Sequence, residues 1–409
     1  MKNLETLIQE LCPDGVEFVK LGDVGTFYGG LSGKSKADFT DGNAKFVTYM
    51  NVYSNPALNT DIKDFVKIEE GEKQNKVLYG DILFTGSSET PNECGMTSVL
   101  TEKTEEDLYL NSFCFGYRFN DIDEVNPGFM KHLFRSHMLR KALAKTASGV
   151  TRFNVSKKKV ANIEIPLPPI EVQTEIVRIL DKFTSLEAEL EAELDCRKRQ
   201  YEYYRDKLLS FDNVGGQEVT ISKIGDIGRI CMCKRIMKNQ TNSESGIPFY
   251  KIGTFGKVAD AYISNDVYEE YKKMYSYPKK GDILMSASGT IGRTVVFNGE
   301  PSYFQDSNIV WVDNDETKVF NSYLNYYYQI IEWKTQGGTI KRLYNNLLAG
   351  ATIKYPSLEE QRRIVSILDR FESLTTSLQS GLPAEIAARR QQYEHYRDKL
   401  LTFKRKGAA

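Results

Sequence analysis

The segment QYEYYRDKLLSF (Gln200–Phe211) returns as QYEHYRDKLLTF (Gln392–Phe403), with only Tyr203/His395 and Ser210/Thr402 changed. The likeness extends upstream: LPPIEVQTEIVRILDKF (Leu167–Phe183) matches YPSLEEQRRIVSILDRF (Tyr355–Phe371) at an offset of 188, while the downstream blocks stand 192 apart. The second copy thus carries four extra residues between its blocks, about one helical turn, so the helix face is kept to first order. In the first copy apolar residues fall at Ile176, Ile179/Leu180, Phe183, Leu186, Leu190, Leu194, Tyr201, Tyr204, Leu208 and Phe211. Steps of mostly three and four are those of a coiled-coil seam, with one stutter at Leu190–Leu194. The second copy repeats the seam through Ile364, Leu368, Phe371, Leu374, Leu378, Leu382, Ile386, Tyr393, Tyr396, Leu400 and Phe403. Gly381 and Pro383 interrupt it, and Pro383 reads as the first turn of a restarted helix or as a kink. Two long helices with near-equal seams are expected to pack on each other.

The segments before each helix differ in texture, with short β-like runs, turns and many Gly, Asn, Ser and Tyr. They echo each other nonetheless. KLGDVG (Lys20–Gly25) resembles KIGDIG (Lys223–Gly228), and YGDILFTGSS (Tyr79–Ser88) resembles KGDILMSASG (Lys280–Gly289), in the same order. The chain therefore reads as a tandem duplication: globular α/β unit, long helix, globular α/β unit, long helix. Expected boundaries are 1–165 and 213–353 for the globular heads, and 166–212 and 354–409 for the helices. Divergence is concentrated in the heads.

Composition is that of an ordinary globular protein, 41% hydrophobic and 27% charged in 409 residues, enough for two or three cores. No apolar run approaches the ~18 residues that span a bilayer, and the acidic N-terminal stretch MKNLETLIQELCPDG argues against a signal peptide. Six scattered cysteines, without a C-x-x-C pair, indicate neither zinc nor disulfides and suit a reduced, cytoplasmic setting. Net charge is −1, so binding to nucleic acid would need segregated basic patches.

Catalytic motifs fail one by one. GGLSGKS (Gly29–Ser35) would need glycine at Tyr28 to be a phosphate loop. PDGVEFVK (Pro13–Lys20) has the pieces of a nuclease pattern, but Glu17 and Lys20 are one residue too far apart. No G-x-G-x-x-G opens a helix, and Asn55-Pro56-Ala57-Leu58 is not the tetrapeptide of an amino-methyltransferase. No catalytic residue and no metal ligand is assigned.

What the heads offer is basic and polar residues beside aromatics. The first has Ser32, Lys34 and Lys36 in a Gly/Ser loop, Tyr49 and Asn51 in TYMNVY, Ser87 and Ser88 after GDIL, and Thr151 and Arg152 within LRKALAKTASGVTRFNVSKKK (Leu139–Lys159). The second has Lys234, Arg235, Lys238, Gln240 and Thr241 in CKRIMKNQT. Lys251 and Thr254 follow in FYKIGTFGK, then Ser288, then Lys341 and Arg342 in GGTIKRLYNN (Gly337–Asn346). Lys and Arg neutralise phosphates, while Arg, Asn and Gln read base edges in the major groove. Lys34, Arg152, Arg235 and Lys341 are expected near DNA, with Arg235 the best base reader.

The paired helical blocks and the paired GDIL blocks resemble the specificity (S) subunit of type I restriction-modification systems, over the whole chain and in order. The resemblance implies an α/β (α+β) fold of two target recognition domains with mixed β-sheet, separated by two long helices packed as an antiparallel coiled coil. It implies a non-catalytic, DNA-reading subunit whose two heads each read half of a split site with a fixed unspecified gap. Implied partners are double-stranded DNA, modification (M) subunits and restriction (R) subunits, with no membrane. S-adenosylmethionine, ATP and magnesium are implied on the partner subunits and no cofactor on this chain. A pseudo-two-fold frame suits two copies of one M partner. Tyr203, Tyr204, Arg205, Tyr396 and Arg397, of residue types favoured at interfaces, are the expected partner contacts.

Overall fold

The computed structural model describes residues 4–211, 218–338, 341–377 and 380–407. Met1–Asn3 of the N-terminal stretch, Thr339 and Ile340 of GGTIKRLYNN, and Leu378 of the second seam lie outside the described residues. The chain forms two compact units: Met1–Leu190 with Glu385–Ala409, and Glu191–Ala384.

In the first unit, strands β1 (Gly25–Gly29), β2 (Ile82–Thr85), β3 (Thr97–Val99) and β4 (Cys114–Phe119) form an antiparallel sheet in the order β1-β4-β2-β3. In the second unit, β5 (Gly228–Cys231), β6 (Ile283–Ser286), β7 (Thr294–Val296) and β8 (Ile309–Asn314) repeat it in the order β5-β8-β6-β7. A second, mixed sheet accompanies each, containing the parallel pair Ala44–Val47/Leu108–Leu110 in one head and Ile247–Tyr250/Tyr303–Phe304 in the other. Duplication of topology thus accompanies duplication of sequence.

The GDIL repeat has a plain physical basis. Gly80 and Gly281 adopt φ of +84° and +93°, a region glycine enters without strain. The Asp that follows closes the turn: Asp81 accepts from the Leu78 amide at 2.8 Å and Asp282 from the Lys279 amide at 2.7 Å. The next residues enter a central strand that is buried throughout in both heads.

Each head ends where it began, by pairing Phe18–Lys20 with Glu164–Pro166 and Thr220–Lys223 with Thr352–Tyr355. Helix α1 (Pro127–Phe134) then packs beneath the first sheet, and α2 (Ile170–Ser210) leaves the head. The second head places α3 (Asn321–Tyr327) in the corresponding position and is followed by α4 (Leu358–Thr376). A buried glutamine secures each junction. Gln173 donates to the carbonyls of Glu124 and Pro168 and accepts from the Asn126 amide; Gln361 does the same with Lys318, Pro356 and Phe320.

The second helical copy is two helices, α4 and α5 (Leu382–Leu400), with Pro383 in the first turn of α5. Gly381 stands before it at φ +90°, where a Cβ would lie 2.8 Å from the carbonyls of Ser373 and Leu374. The interruption expected at Gly381 and Pro383 is thus a helix stop and restart, with Pro383 in the first turn of the new helix.

Pairing within each unit is antiparallel. In the first, Phe183 of α2 stacks on Tyr396 of α5 at 5.3 Å and Glu187 meets Arg390 at 2.6 Å. In the second, Tyr204 of α2 stacks on Phe371 of α4 at 5.7 Å. Leu208 is half-buried there, and Leu209 beside it is fully buried. The chain's end closes the first unit, where Val16 exchanges backbone hydrogen bonds with Lys404 and Lys406.

Candidate nucleic-acid interface

Five of the residues singled out in the first head, Tyr49, Ser87, Ser88, Thr151 and Arg152, line one cleft of about 570 Å³. The strand Ser87–Ser88 pairs with Phe153–Val155, which brings the GDIL block against the basic segment. Arg152 Nε donates to Ser87 Oγ at 3.0 Å, and its guanidinium lies 5.6 Å from the centre of the Phe113 ring. The two terminal nitrogens of Arg152 have no partner among the described residues, so a held, aimed fork remains open. Tyr49 donates to the Ser87 carbonyl at 2.8 Å and stacks on Tyr53.

Sequence reasoning missed the rest of this cleft: Met50, Tyr53, Glu89, Glu93 and Phe113. Phe113, 59% exposed, sits on a loop after a strand, where no hydrophobic period marks it. Glu93 is tied down by Thr90, Tyr53 and Ser88, and hydrogen bonds from the first two hold its carboxyl below the usual range.

Other expected contacts of the first head have internal partners. Lys34 is only 8% exposed and meets Glu72 at 2.5 Å; hydrogen bonds from Lys34 and Gln74 hold Glu72 down at about 2. The ammonium of Lys34 is thus engaged within the head rather than free. Both ends of the Asn51 amide are used, toward Asn59 and Asn55. Ser32 bonds Gln74 through its backbone. Lys36 is exposed, without a partner among the described residues.

In the second head two of the expected residues, Arg235 and Ser288, meet the loop Asp306–Asn308. Arg235, 70% exposed, reaches Asp306 at 3.3 Å. Buried Ser288 donates to Asn308 at 2.8 Å and forms a β-bridge with Arg342, as Ser87 pairs with Asn154 in the first head. Ser307 between them holds φ +52°, a strained value for a non-glycine residue of the kind found at binding loops. Lys234 lies over Tyr275, and Lys238 and Lys341 are exposed. Gln240 and Thr241 close their own turn, Gln240 also donating to Tyr271. Lys251 is paired with Asp260 at 2.8 Å, and Thr254 caps the Lys251 turn. Gln240, Thr241, Lys251 and Thr254 thus all have partners within the head.

On the helices, Tyr203 is 59% exposed, whereas Tyr204 and Tyr396 lay one ring face on Phe371 and Phe183. Arg205 and Arg397 are largely covered by their own helices. Their side chains are 16% and 12% exposed, over Tyr201 and Tyr393 and beside Asp206 and Asp398.

A buried network joins the first head to both helices of its unit. His132 of α1 contacts Asp181 of α2 at 2.8 Å through Nε2 and Tyr393 of α5 at 2.8 Å through Nδ1. An ionised Asp accepts only, so Nε2 carries the proton and Nδ1 accepts from the tyrosine. Burial pushes the His132 pKa down. For Asp181, burial acts upward but hydrogen bonds from His132 and Lys131 outweigh it, to about 2.

Among the described residues no helix is long and apolar enough to cross a membrane, and no three His, Cys, Asp or Glu side chains gather as a metal site. The family model of the type I restriction modification DNA specificity domain matches twice, over residues 13–195 and 216–388. A protein described as a type I restriction enzyme specificity subunit from Haemophilus influenzae is 53% identical over 293 residues, 69% of this chain and 74% of its own. The specificity subunit of the EcoR124I/EcoR124II type I restriction enzyme from Escherichia coli is 34% identical over 61% of this chain and 64% of its own. A chain from a structural study of assembly and conformational transition in the type I R-M system aligns over 95% of this chain and 98% of its own. Its TM-score is 0.63 at 20% identity, a likeness of fold.

Proposed function

This chain belongs to the type I restriction-modification DNA specificity family, and from that premise we propose that it reads a bipartite DNA site, one half per head, and has no catalysis of its own. Modification subunits, two per chain on the repeated frame, perform the methyl transfer, and restriction subunits the cleavage. The observation that carries this reading is the contrast between a repeated frame and heads that share topology but present different side chains. The first offers Arg152 with Tyr49, Ser87 and Thr151; the second offers Arg235 and Arg342 around Ser288. Lys36, Lys238 and Lys341, exposed on the heads, are the phosphate contacts, and Tyr203 is the partner contact on the helices.

The reading is tested by titrating the chain, with and without its M partner, against cognate and scrambled duplexes at several salt concentrations. Changing Lys36, Lys238 or Lys341 to Ala should weaken both duplexes alike and reduce the salt slope by about one. Changing Arg235 to Ala should relax a single position, by about 1–3 kcal/mol. Methylation or cleavage by the purified chain alone would refute the division of labour.

A further inference from the structure

The first head's cleft has a chemistry that basic-residue counting does not suggest. Its lining carries two carboxylates, Glu89 and Glu93, against one cation, Arg152. Glu93 is committed to Thr90, Tyr53 and Ser88. Glu89 is exposed and has no partner among the described residues, although Ser88 and Thr90 flank it in sequence. Exposed Met50 and Phe113 line the same cleft, so the carboxylate stands in a partly apolar recess. A phosphate entering here would meet an excess of negative charge, which repels it. Base edges carry no net charge, and some of them donate.

We propose that Glu89 is a specificity-determining residue of the first head, accepting a hydrogen bond in the major groove from an exocyclic amino group, N4 of cytosine or N6 of adenine. The inference rests on the DNA-reading function above and deepens it. Thymine O4 and guanine O6 and N7 are acceptors, and a carboxylate facing them gains nothing and repels. Arg152 is the complement in the same cleft: Ser87 and Phe113 hold its guanidinium and leave its two terminal nitrogens to donate to an acceptor edge. The unpaired charged groups of the cleft are therefore one donor, Arg152, and one acceptor, Glu89, and exposed lysines such as Lys36 and the run Lys157–Lys159 remain for phosphates.

The test uses the complete methyltransferase assembled with Glu89→Ala or Glu89→Gln, with methylome sequencing as the readout. A first-head exchange runs in parallel. Glu89→Ala should relax one position of one half-site, losing roughly 5- to 150-fold discrimination. That position is cytosine or adenine in the parent motif, and its identity separates the two sources. Where that base is cytosine, Glu89→Gln should shift it toward adenine, and where it is adenine the preference should be kept, because a side-chain amide pairs with both N6 and N7. Because Glu89 is exposed and unpaired, both variants should unfold at the parent temperature. An unchanged motif in a folded Glu89→Ala complex, a change at guanine or thymine, or a change in the other half-site would overturn the inference. If the head exchange alters one half-site while Glu89→Ala alters nothing, Glu89 fails and the DNA-reading function stands. If neither alters the motif, the parent reading fails as well.

Discussion

Two buried side chains on the helices do work that their sequence neighbours do not reveal. Gln173 satisfies two carbonyls and one amide at the head–helix junction. Replacing it by Leu keeps the volume but strands those groups, each worth about 1–3 kcal/mol when buried and unpaired. We expect Gln173→Leu to lower stability by about 2–4 kcal/mol in denaturant titration, and a loss within 0.5 kcal/mol would contradict the junction's role. His132 gives the first unit a pH response. Its folded pKa lies below the ordinary 6.5, so the unfolded chain binds the proton more readily. Stability from this group is complete above about pH 6.5 and falls as pH drops toward the folded value. Protonation also turns Nδ1 into a donor, so the hydrogen bond with Tyr393 must reverse, the hydroxyl then accepting. The groups facing the ring are Asp181, Lys131, Tyr393 and Arg397, and Asp181 adds a loss of its own only between about 3.8 and 2. His132→Gln should flatten the melting temperature between pH 7.5 and pH 5.5, and an unaltered pH profile would show that the stress lies elsewhere. The corresponding place in the second unit is held by Tyr326, which shares Asp369 and Glu372 and does not titrate near neutrality.

At the scale of elements, the repeated blocks were legible because they carry the physical requirements of a frame. GDIL is a glycine turn, a capping carboxylate and a buried strand; the EVQ and EEQ of the helix starts are junction glutamines; Gly381 and Pro383 mark a helix stop and restart. The heads were less legible. Whether Lys34 faces solvent or Glu72 depends on a residue 38 positions away, and no local pattern encodes that. The same holds for Arg205 and Arg397, whose composition suggested an interface while their guanidinium groups lie over tyrosines of their own helices. Phe113, Glu89 and Met50 come to line one cleft with Arg152 only through the fold. The duplicated tetrapeptide EAELEAEL (Glu187–Leu194) lies in α2, and the boundary between the compact units falls inside it. We propose that the length of this helix sets the unspecified gap in the DNA site. A third EAEL would add ~6 Å and turn the helix by ~40° beyond a full revolution, against roughly 35° and ~3.4 Å per base pair. The gap should lengthen by about one base pair with both half-sites kept, and an active insertion variant that retains the parent gap would end this proposal.

Across the whole molecule, the duplication has an outcome that the linear order of blocks conceals. Each compact unit combines a head with part of α2, and the helix α5 from the end of the chain belongs with the first head. The contacts of α5 with His132 and Phe183, and of Lys404 and Lys406 with Val16, complete that unit. The sequence copy Gln392–Phe403 therefore serves in the first unit the part that Gln200–Phe211 serves in the second: Tyr396 stacks on Phe183 as Tyr204 stacks on Phe371. The same twelve residues are written twice because the same frame is built twice. We propose that the two heads on this frame read DNA separately. This is tested most directly by exchanging Met1–Ile165 for the first head of another family member and sequencing the methylome of a host carrying the hybrid with its M partner. The expected motif has one half-site replaced, with the other half-site and the gap unchanged. A motif altered in both halves, or in neither, would contradict it.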